Sequence, residues 1–404
     1  MILKWFVYMV QDSSNIGIIG GGASGCACAY FIKKFHPEKK VSIIDYGNFL
    51  RTILVTGGGR CNLTHYEFDF KELAKNYPRG EKFLYSIFSR FGVAESLEFF
   101  EDLGIETYPQ DDMRVFPCSN SAKEVQDKLI NNLKSKGIKF IKEKALRIEP
   151  NENGFKVVTD MNSYNFNKLV YATGGHNGYE MIERIGIKIV EPKPSLVALV
   201  SDKGFSNQMG VVLKDIYNHE TGLTGDLLFT HFGISGPLVY KISALKTYDK
   251  HPYELSFNLY NKELNLQTIF NSNPHKQIKN ILSEYFPQKV SELLLERICL
   301  NPETKCHRID GKTRDKLYNE ITNFKVLIKG TKKDGETVTA GGVDLDTINP
   351  KTMESKTIPN LYFCGEVIDV DGFCGGFNLQ NCWSTAFVVG KNITVTKCSG
   401  VFLK

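Results

Sequence analysis

The chain has 404 residues, of which 42% are hydrophobic and 24% are charged, and its formal net charge is +5. This is an ordinary composition for a soluble globular protein, and the length predicts two or three domains. No apolar stretch approaches the roughly 20 residues that a membrane helix needs, which excludes a protein built on membrane-spanning helices.

The first ten residues are apolar apart from Lys4, but they run toward the first strand without a small-residue cleavage site, so no signal peptide is expected. Met9 is an alternative start to Met1, because the first strand needs nothing before about Ser14. The ten cysteines show neither a C-x-x-C pair nor a metal-ligand spacing. We therefore predict no metal site, and a reduced, cytoplasmic protein that does not associate with membranes.

A glycine cluster from Gly20 to Gly25 follows the apolar run 16–19 and precedes a helix-like segment, 26–34. This order predicts a strand, a tight turn and a helix. In such a unit Gly20 permits the turn, Gly22 lets a pyrophosphate approach the backbone, and Gly25 lets the helix pack on the strand. The phosphates would rest on the helix N-terminus, although glycine turns of this kind also occur without a ligand.

A second short strand, 40–45, ends in the carboxylate of Asp45, 25 residues after Gly20. In dinucleotide-binding folds an acidic residue near this position binds a ribose 2′-hydroxyl. The same charge would repel a 2′-phosphate. The pattern therefore favours FAD or NAD over NADP as the ligand of this turn.

Apolar residues at near-helical spacing predict two helices within 70–104 and a third from 121 to 136, followed by strands over 139–148, 154–160 and 166–173. The stretch 121–147 contains eight Lys or Arg against three Asp or Glu. A solvated helix face explains such a run, and so does a surface that contacts RNA or another polyanion.

The pattern changes after residue 192. We predict an N-terminal part of a dinucleotide-binding domain over 1–192, an inserted β-rich domain over 193–265 and an inserted helical subdomain over 266–330. Strand-and-glycine patterns return over 331–404, where a helix is predicted from 377 to 391. The two ends of the chain are therefore expected to form one α/β domain.

Several segments in this order resemble the two-dinucleotide-binding-domain flavoproteins. The closer resemblance is to a bacterial family of FAD-binding oxidoreductases, labelled NAD(P)/FAD-dependent or aminoacetone-oxidase-like, with members associated with reduction of steroid-type enones and of uridine in ribosomal RNA. The segments that carry the resemblance span nearly the whole chain and are 20–25, 56–64, 114–117, 172–175, 230–237, 339–343, 353–356 and 365–380.

This resemblance implies a Rossmann-like, glutathione-reductase-like FAD domain interrupted by a β-barrel-like and helical insert. It also implies that the turn binds the pyrophosphate, that Asp45 binds the adenosine ribose, and that the last helix points its N-terminus at the flavin pyrimidine. The FAD-binding residues that it implies are Gly20, Gly22, Ala23, Ser24, Gly25, Asp45, Arg51, Gly58, Gly59, Ala145, Leu146, Thr173, Gly174, Gly365, Glu366, Gly376, Phe377, Asn378 and Leu379.

A flavin reductase also needs a proton donor near the ring, and we name Cys61, His231 and Cys374 as candidates. Each has a structural alternative, since cysteines commonly pack in cores and His231 precedes a turn. Arg60 and Arg114 are candidates for fixing a carbonyl or phosphate, or for satisfying loop carbonyls.

No second G-x-G-x-x-G motif is present, so NADH or NADPH would have to reach the flavin directly as a transient donor. We therefore expect a FAD-dependent reductase of a conjugated carbon–carbon double bond, in a small enone or in ribosomal RNA. The alternatives are an amine or aminoketone oxidase that uses oxygen, and a flavin-bound RNA-binding or redox-sensing protein without turnover. The sequence indicates no oligomeric state.

Overall fold

The computed structural model describes residues 15–176, 178–332 and 338–393. The alternative starts, Met1 and Met9, lie outside these residues. The chain divides into two compact units, the first formed by Met1–Pro192 with Thr339–Lys404 and the second by Lys193–Val338.

The first unit contains both strands and helices, and the second unit contains a barrel with helices inserted in the sequence between its strands. The strands of the described ranges are β1 (Asn15–Ile19), β2 (Lys40–Ile44), β3 (Thr64–His65), β4 (Thr107–Pro109), β5 (Arg114–Pro117), β6 (Lys139–Ile141), β7 (Ala145–Asn151), β8 (Gly154–Thr159), β9 (Ser163–Phe166), β10 (Lys168–Tyr171), β11 (Ile189–Ser195), β12 (Leu199–Ser201), β13 (Val212–Asn218), β14 (Thr224–Thr230), β15 (Gly233–Ser235), β16 (Tyr253–Asn258), β17 (Phe324–Thr331), β18 (Val338–Val343) and β19 (Leu361–Phe363). The α-helices of the same ranges are α1 (Ala23–Phe35), α2 (Phe70–Ala74), α3 (Glu81–Phe88), α4 (Val93–Asp102), α5 (Ala122–Ser135), α6 (Tyr179–Glu183), α7 (Pro237–Leu245), α8 (Leu266–Ser272), α9 (Ile278–Leu282), α10 (Gln288–Arg297), α11 (Gly311–Thr322) and α12 (Phe377–Asn392).

A five-stranded sheet in the order β19-β10-β1-β2-β6 forms the centre of the first unit. All four strand pairs are parallel. Ile16 and Ile18 of the central strand are fully buried, as expected when both faces of a parallel sheet are covered. Strand β19 adds the C-terminal part of the chain to a sheet begun by the N-terminal part, so the two ends form one domain.

Helices α1 and α12 pack against each other in this unit. A Cβ atom on Gly390 would stand 2.5 Å from the Cβ atom of Phe31, so only glycine permits this approach. The rings of Phe31 and Phe387 meet edge to face, with centroids 5.3 Å apart. The helix that follows the glycine turn is thereby fixed against the last helix of the described chain.

Two predicted strands are wrong in their extent. The strand predicted over 139–148 divides into β6, which pairs parallel with β2, and β7, which pairs antiparallel with β8. The strand predicted over 166–173 divides in the same way at Asn167 between β9 and β10. In both cases an apolar run serves two different sheets, which the apolar pattern alone does not reveal.

The second unit contains a closed barrel in the order β12-β15-β14-β13-β16-β17. Helices α8 to α11 lie between β16 and β17 in the sequence, and β17 pairs antiparallel with both β16 and β12. The predicted fold class, a Rossmann-like FAD-binding domain with a barrel-like and helical insert, is confirmed. In the part of the chain that the structure describes, none of the helices combines the length and apolar character needed to cross a bilayer.

Candidate functional site

The structure gives different reasons for the presence of glycine at Gly20, Gly22 and Gly25 of the first turn. Gly20 has φ +107°, and a Cβ atom there would stand 2.1 Å from the carbonyl oxygen of Ala172. A Cβ atom on Gly25 would stand 1.9 Å from the carbonyl oxygen of Gly20. At Gly22, by contrast, a Cβ atom would meet no described atom within 4 Å. Packing therefore explains two of the glycines, and an open space that a ligand can fill explains the third.

Helix α1 begins at this open space. Its N-cap is Gly22, without a side-chain cap, and its first turn contains no acidic residue. An uncapped helix N-terminus presents N–H groups and the positive end of the helix dipole, which suits a pyrophosphate. The geometry of the turn therefore fits the phosphates of FAD.

Asp45, directly after β2, lies against the same turn. Its Oδ2 accepts a hydrogen bond from the N–H of Gly21 at 2.6 Å, and its Oδ1 accepts from the N–H of Gly47 at 2.8 Å. Each carboxylate oxygen has a further lone pair, so the group can still accept from a ribose hydroxyl. Asp45 is therefore fixed beside the turn, and its role at the ribose stays a prediction.

Two further predicted residues adjoin the turn. A Cβ atom on Gly365, which has φ +79°, would stand 2.3 Å from Ser24 Oγ in the first turn of α1. A Cβ atom on Gly20 would stand 2.9 Å from the backbone nitrogen of Thr173, whose Oγ1 is buried and has no hydrogen-bond partner among the described residues. An orphaned buried hydroxyl beside an open turn fits a polar ligand.

The start of α12 contains the other group of predicted FAD residues. The N-cap of this helix is Gly376, with φ +96°, and the helix has neither a side-chain cap nor an acidic residue in its first turn. The side chain of Asn378 is used within the protein, because it accepts from the N–H and donates to the carbonyl of Gly372, both at 2.8 Å. Any contact of Asn378 with a flavin would therefore come from its backbone.

Asn62 and His65 hold this helix start, and the sequence analysis did not identify either of them. The Asn62 amide accepts from the N–H of Gly376 at 2.9 Å and donates to the carbonyl of Thr64 at 3.1 Å. The Nδ1 atom of His65 lies 3.0 Å from the carbonyl oxygen of Gly375, and its ring lies 4.5 Å from that of Phe377. Position beside the glycine-rich loop was the only signal in the sequence that could have indicated them.

The candidate proton donors occupy different environments. Cys61, next to Asn62, is fully buried, and burial raises the pKa of its thiol to about 12. Cys374 is exposed in the loop before α12. His231 is exposed at the turn between β14 and β15, in the second unit. The proton-donor role of each stays a prediction.

The other predicted FAD residues lie on loops and strand ends of the first unit. Arg51 precedes a short 3-10 helix, Thr52–Gly58, and Gly59 follows it in a left-handed conformation. Ala145 and Leu146 begin β7, where Leu146 is 46% exposed. Gly58 and Gly174 have positive φ angles and open space around them, and Glu366 accepts from the N–H of Thr339 at 2.9 Å. Within the described ranges, no group of three or more His, Cys, Asp or Glu side chains could hold a metal ion.

Known proteins resemble this chain over nearly its full length. The family model described as HI0933-like protein Rossmann domain matches residues 14–392. A ribosomal RNA dihydrouridine synthase from Haemophilus influenzae is 31% identical over 418 residues, which cover 96% of this chain and 100% of that protein. A 3-dehydro-bile acid delta(4,6)-reductase from Clostridium scindens is 28% identical over 410 residues, covering 94% and 98% of the two chains.

The fold is also present in a solved 3-ketosteroid delta1-dehydrogenase from Sterolibacterium denitrificans. The TM-score is 0.50 at 11% identity, with 94% of this chain and 99% of that chain covered. This likeness concerns the fold alone, whereas the family model and the curated relatives confirm the predicted resemblance. The chain therefore belongs to the HI0933-like Rossmann-domain family of FAD-binding oxidoreductases.

Proposed function

We propose that this protein is a FAD-dependent reductase of a conjugated carbon–carbon double bond, in uridine of ribosomal RNA or in a small enone, with NADH or NADPH as the donor. One observation carries the proposal: two relatives align over at least 94% of this chain, and both are named for a reaction that reduces such a bond, one giving dihydrouridine and the other acting on a bile acid. Uridine and enones share a double bond next to a carbonyl, so one flavin geometry suits both.

When bound, FAD supplies a hydride from its N5 position. The chain's own residues provide binding and electrostatics. The open side of Gly22 and the N-terminus of α1 would hold the pyrophosphate, and Asp45 would hold the ribose. The N-terminus of α12 would favour negative charge on the reduced ring. A proton for the second carbon would come from Cys61, Cys374 or His231.

We propose the stretch 121–147 as a contact for an RNA substrate. Part of its charge is neutralised, because Lys123 pairs with Asp127 and Lys128 pairs with Glu124, both at 2.5 Å. Lys134 and Lys144 are exposed, and neither side-chain ammonium group forms an ion pair with a carboxylate of the described residues. Unpaired lysines of this kind can neutralise phosphates. We expect the protein in the cytoplasm, where it would meet ribosomal RNA.

The deciding experiment starts from the purified protein with its yellow chromophore. The flavin is reduced anaerobically with NADH or NADPH, and its reoxidation is followed with oxygen, with enones and with ribosomal RNA fragments. We expect fast reoxidation by one of the organic acceptors. Rapid reoxidation by oxygen alone would favour an oxidase, and no reduction by either nicotinamide would favour a protein without turnover.

The same assay separates the proton-donor candidates. Cys61→Ala, His231→Ala and Cys374→Ala should each retain FAD, and the variant that lacks the donor should be reoxidised about 10²- to 10⁴-fold more slowly by the organic acceptor. If all three variants keep the wild-type rate, none of these side chains is the donor.

A further inference from the structure

Arg60 is positioned by two contacts within the first unit. Its Cζ atom lies 4.1 Å from the centre of the Phe116 ring, which is fully buried. Its Nε donates to the carbonyl oxygen of Gly57 at 3.1 Å. Stacking covers a face of the guanidinium but leaves its edges, which carry the other N–H donors, available in the plane of the group.

The charge of Arg60 has no counter-ion among the described residues. Arg114 also lies over Phe116, at 5.5 Å, but it pairs with Asp112 at 2.7 Å. No described carboxylate forms such a pair with Arg60, which is only partly exposed. A half-buried guanidinium that is positioned by the protein and has unused donors is well suited to bind an anion.

Arg60 also lies near the start of α12. A Cβ atom on Gly57 would stand 2.7 Å from the ring of Phe116 and 3.1 Å from the backbone nitrogen of Asn62. Asn62 in turn accepts from the N–H of Gly376. Arg60 is therefore linked through two layers of contacts to the helix start where the flavin would lie.

We propose that Arg60 binds an anionic oxygen group of the substrate, either a phosphodiester or a carboxylate, and so selects charged substrates. The inference rests on the proposed function. Ribosomal RNA carries phosphodiesters, and a bile acid carries a carboxylate. The substrates named for the two relatives therefore both contain an anionic group with two oxygens that share the negative charge. A guanidinium recognises both through two parallel hydrogen bonds.

The test measures ligand binding rather than turnover. FAD-loaded protein is titrated with saturated, non-reducible analogues, and the change in flavin absorbance gives the dissociation constants. One arm compares a saturated steroid carboxylic acid with its methyl ester. The other arm compares a dihydrouridine trinucleotide with its uncharged methylphosphonate analogue. The ratio of affinities within a pair isolates the anion from the rest of the ligand.

In the wild type, the charged member of at least one pair should bind at least about tenfold more tightly than its uncharged analogue. This is the difference expected when one ligand can form a charge-assisted hydrogen bond and the other cannot. Arg60→Gln should bring that ratio close to one, and Arg60→Lys should retain part of it. The FAD content of both variants should equal that of the wild type. Arg314→Gln, on α11 of the second unit, is the matched control and should keep the full ratio. The arm that responds identifies the source of the anion.

An unchanged ratio in Arg60→Gln would overturn the proposal, and so would loss of FAD from both Arg60 variants, which would assign this side chain to the cofactor or the fold. Failure of the proposed function has a different signature. In that case the wild-type protein would reduce neither the unsaturated acid nor the uridine oligonucleotide, whatever the binding ratios are.

Discussion

The backbone N–H of Gly376 donates to the side chain of Asn62 across 2.9 Å, and this bond joins the glycine-rich loop near residue 60 to the first turn of α12. Asn62 is only 9% exposed, so both bonds of its amide lie in a largely dry environment. The start of α12 is therefore held by Asn62, a residue from the N-terminal part of the chain.

Replacing Asn62 with alanine should lower the free energy of unfolding by about 1–3 kcal/mol, because the N–H of Gly376 and the carbonyl of Thr64 lose their partner. FAD should also bind more weakly. Urea unfolding of the apoprotein and FAD titration measure the two effects. Asn271→Ala, at an exposed position on α8, is the control and should change neither. Wild-type stability in Asn62→Ala would show that water replaces the amide.

Substitution by alanine should lower the stability of the apoprotein strongly at Gly25 and only slightly at Gly22. At Gly25 the new Cβ atom would overlap the carbonyl oxygen of Gly20, so Gly25→Ala should strongly destabilise the apoprotein. Gly22 has φ −77° and open space, so Gly22→Ala should cost the apoprotein about 1 kcal/mol or less.

The affinity of Gly22→Ala for FAD should nevertheless fall by about tenfold or more, since the new methyl group occupies the space assigned to the pyrophosphate. Urea unfolding without FAD and fluorescence titration with FAD separate the two properties. Equal loss of apoprotein stability in both variants would remove the argument that Gly22 leaves space for a ligand.

The thiol of Cys61 should resist alkylation in the folded protein. Burial raises its pKa to about 12, so almost none of it is thiolate at pH 8, whereas Cys118, Cys299 and Cys374 are exposed. Brief iodoacetamide treatment followed by peptide mass spectrometry should find the label on the exposed residues and not on Cys61. Rapid labelling of Cys61 would contradict the buried position.

The raised pKa of Cys61 also predicts a pH effect on stability. The folded state holds the thiol proton more tightly than the unfolded state, whose thiol titrates near its ordinary value of 9.0. The stabilisation that the protonated thiol gives to the folded state is therefore complete below pH 9.0 and is lost as the pH rises toward about 12. Between pH 8 and 10.5, the free energy of unfolding should fall less in Cys61→Ala than in the wild type, as measured with urea. An equal fall in both proteins would assign the effect to other groups.

Asp371 is fully buried and forms an ion pair with Arg79, just before the loop that leads into α12. Asp371→Ala leaves the Arg79 charge without this partner, so the free energy of unfolding should fall by about 3–5 kcal/mol. Asp112→Ala breaks an exposed ion pair with Arg114 and should cost about 1 kcal/mol or less. Similar losses in the two variants, measured by urea unfolding, would contradict the role of burial.

Much of this fold could be predicted because its main signals are local. The spacing of Gly20, Gly22 and Gly25 predicts the first turn, and the glycine turn at Gly375 and Gly376 predicts that a helix follows it. The closure of the barrel was harder to predict. Strand β17 pairs with β16 and β12 although four helices separate it from β16 in the sequence, and nothing local indicates such a pairing.

The residues of the candidate site also differ in whether they could be predicted from local sequence. Asp45 could be predicted because its distance from Gly20 is set by one strand–helix–strand unit. Asn62 and His65 could not, because their partners, Gly376 and Gly375, are brought to them only by the folded domain. Cys61 was named for its position in a glycine-rich loop, and its burial depends on packing that the loop sequence does not specify.

The parallel sheet of the first unit has a consequence for the order of events during synthesis. Strand β10 leaves the ribosome nearly two hundred residues before its partner β19. The sequence separation between α1 and its packing partner α12 is larger still. The intervening barrel can fold during that interval, while the edge of β10 stays unpaired. We therefore expect FAD to bind late, and a chain that is truncated before β19 should expose the hydrophobic edge of β10 to chaperones and proteases.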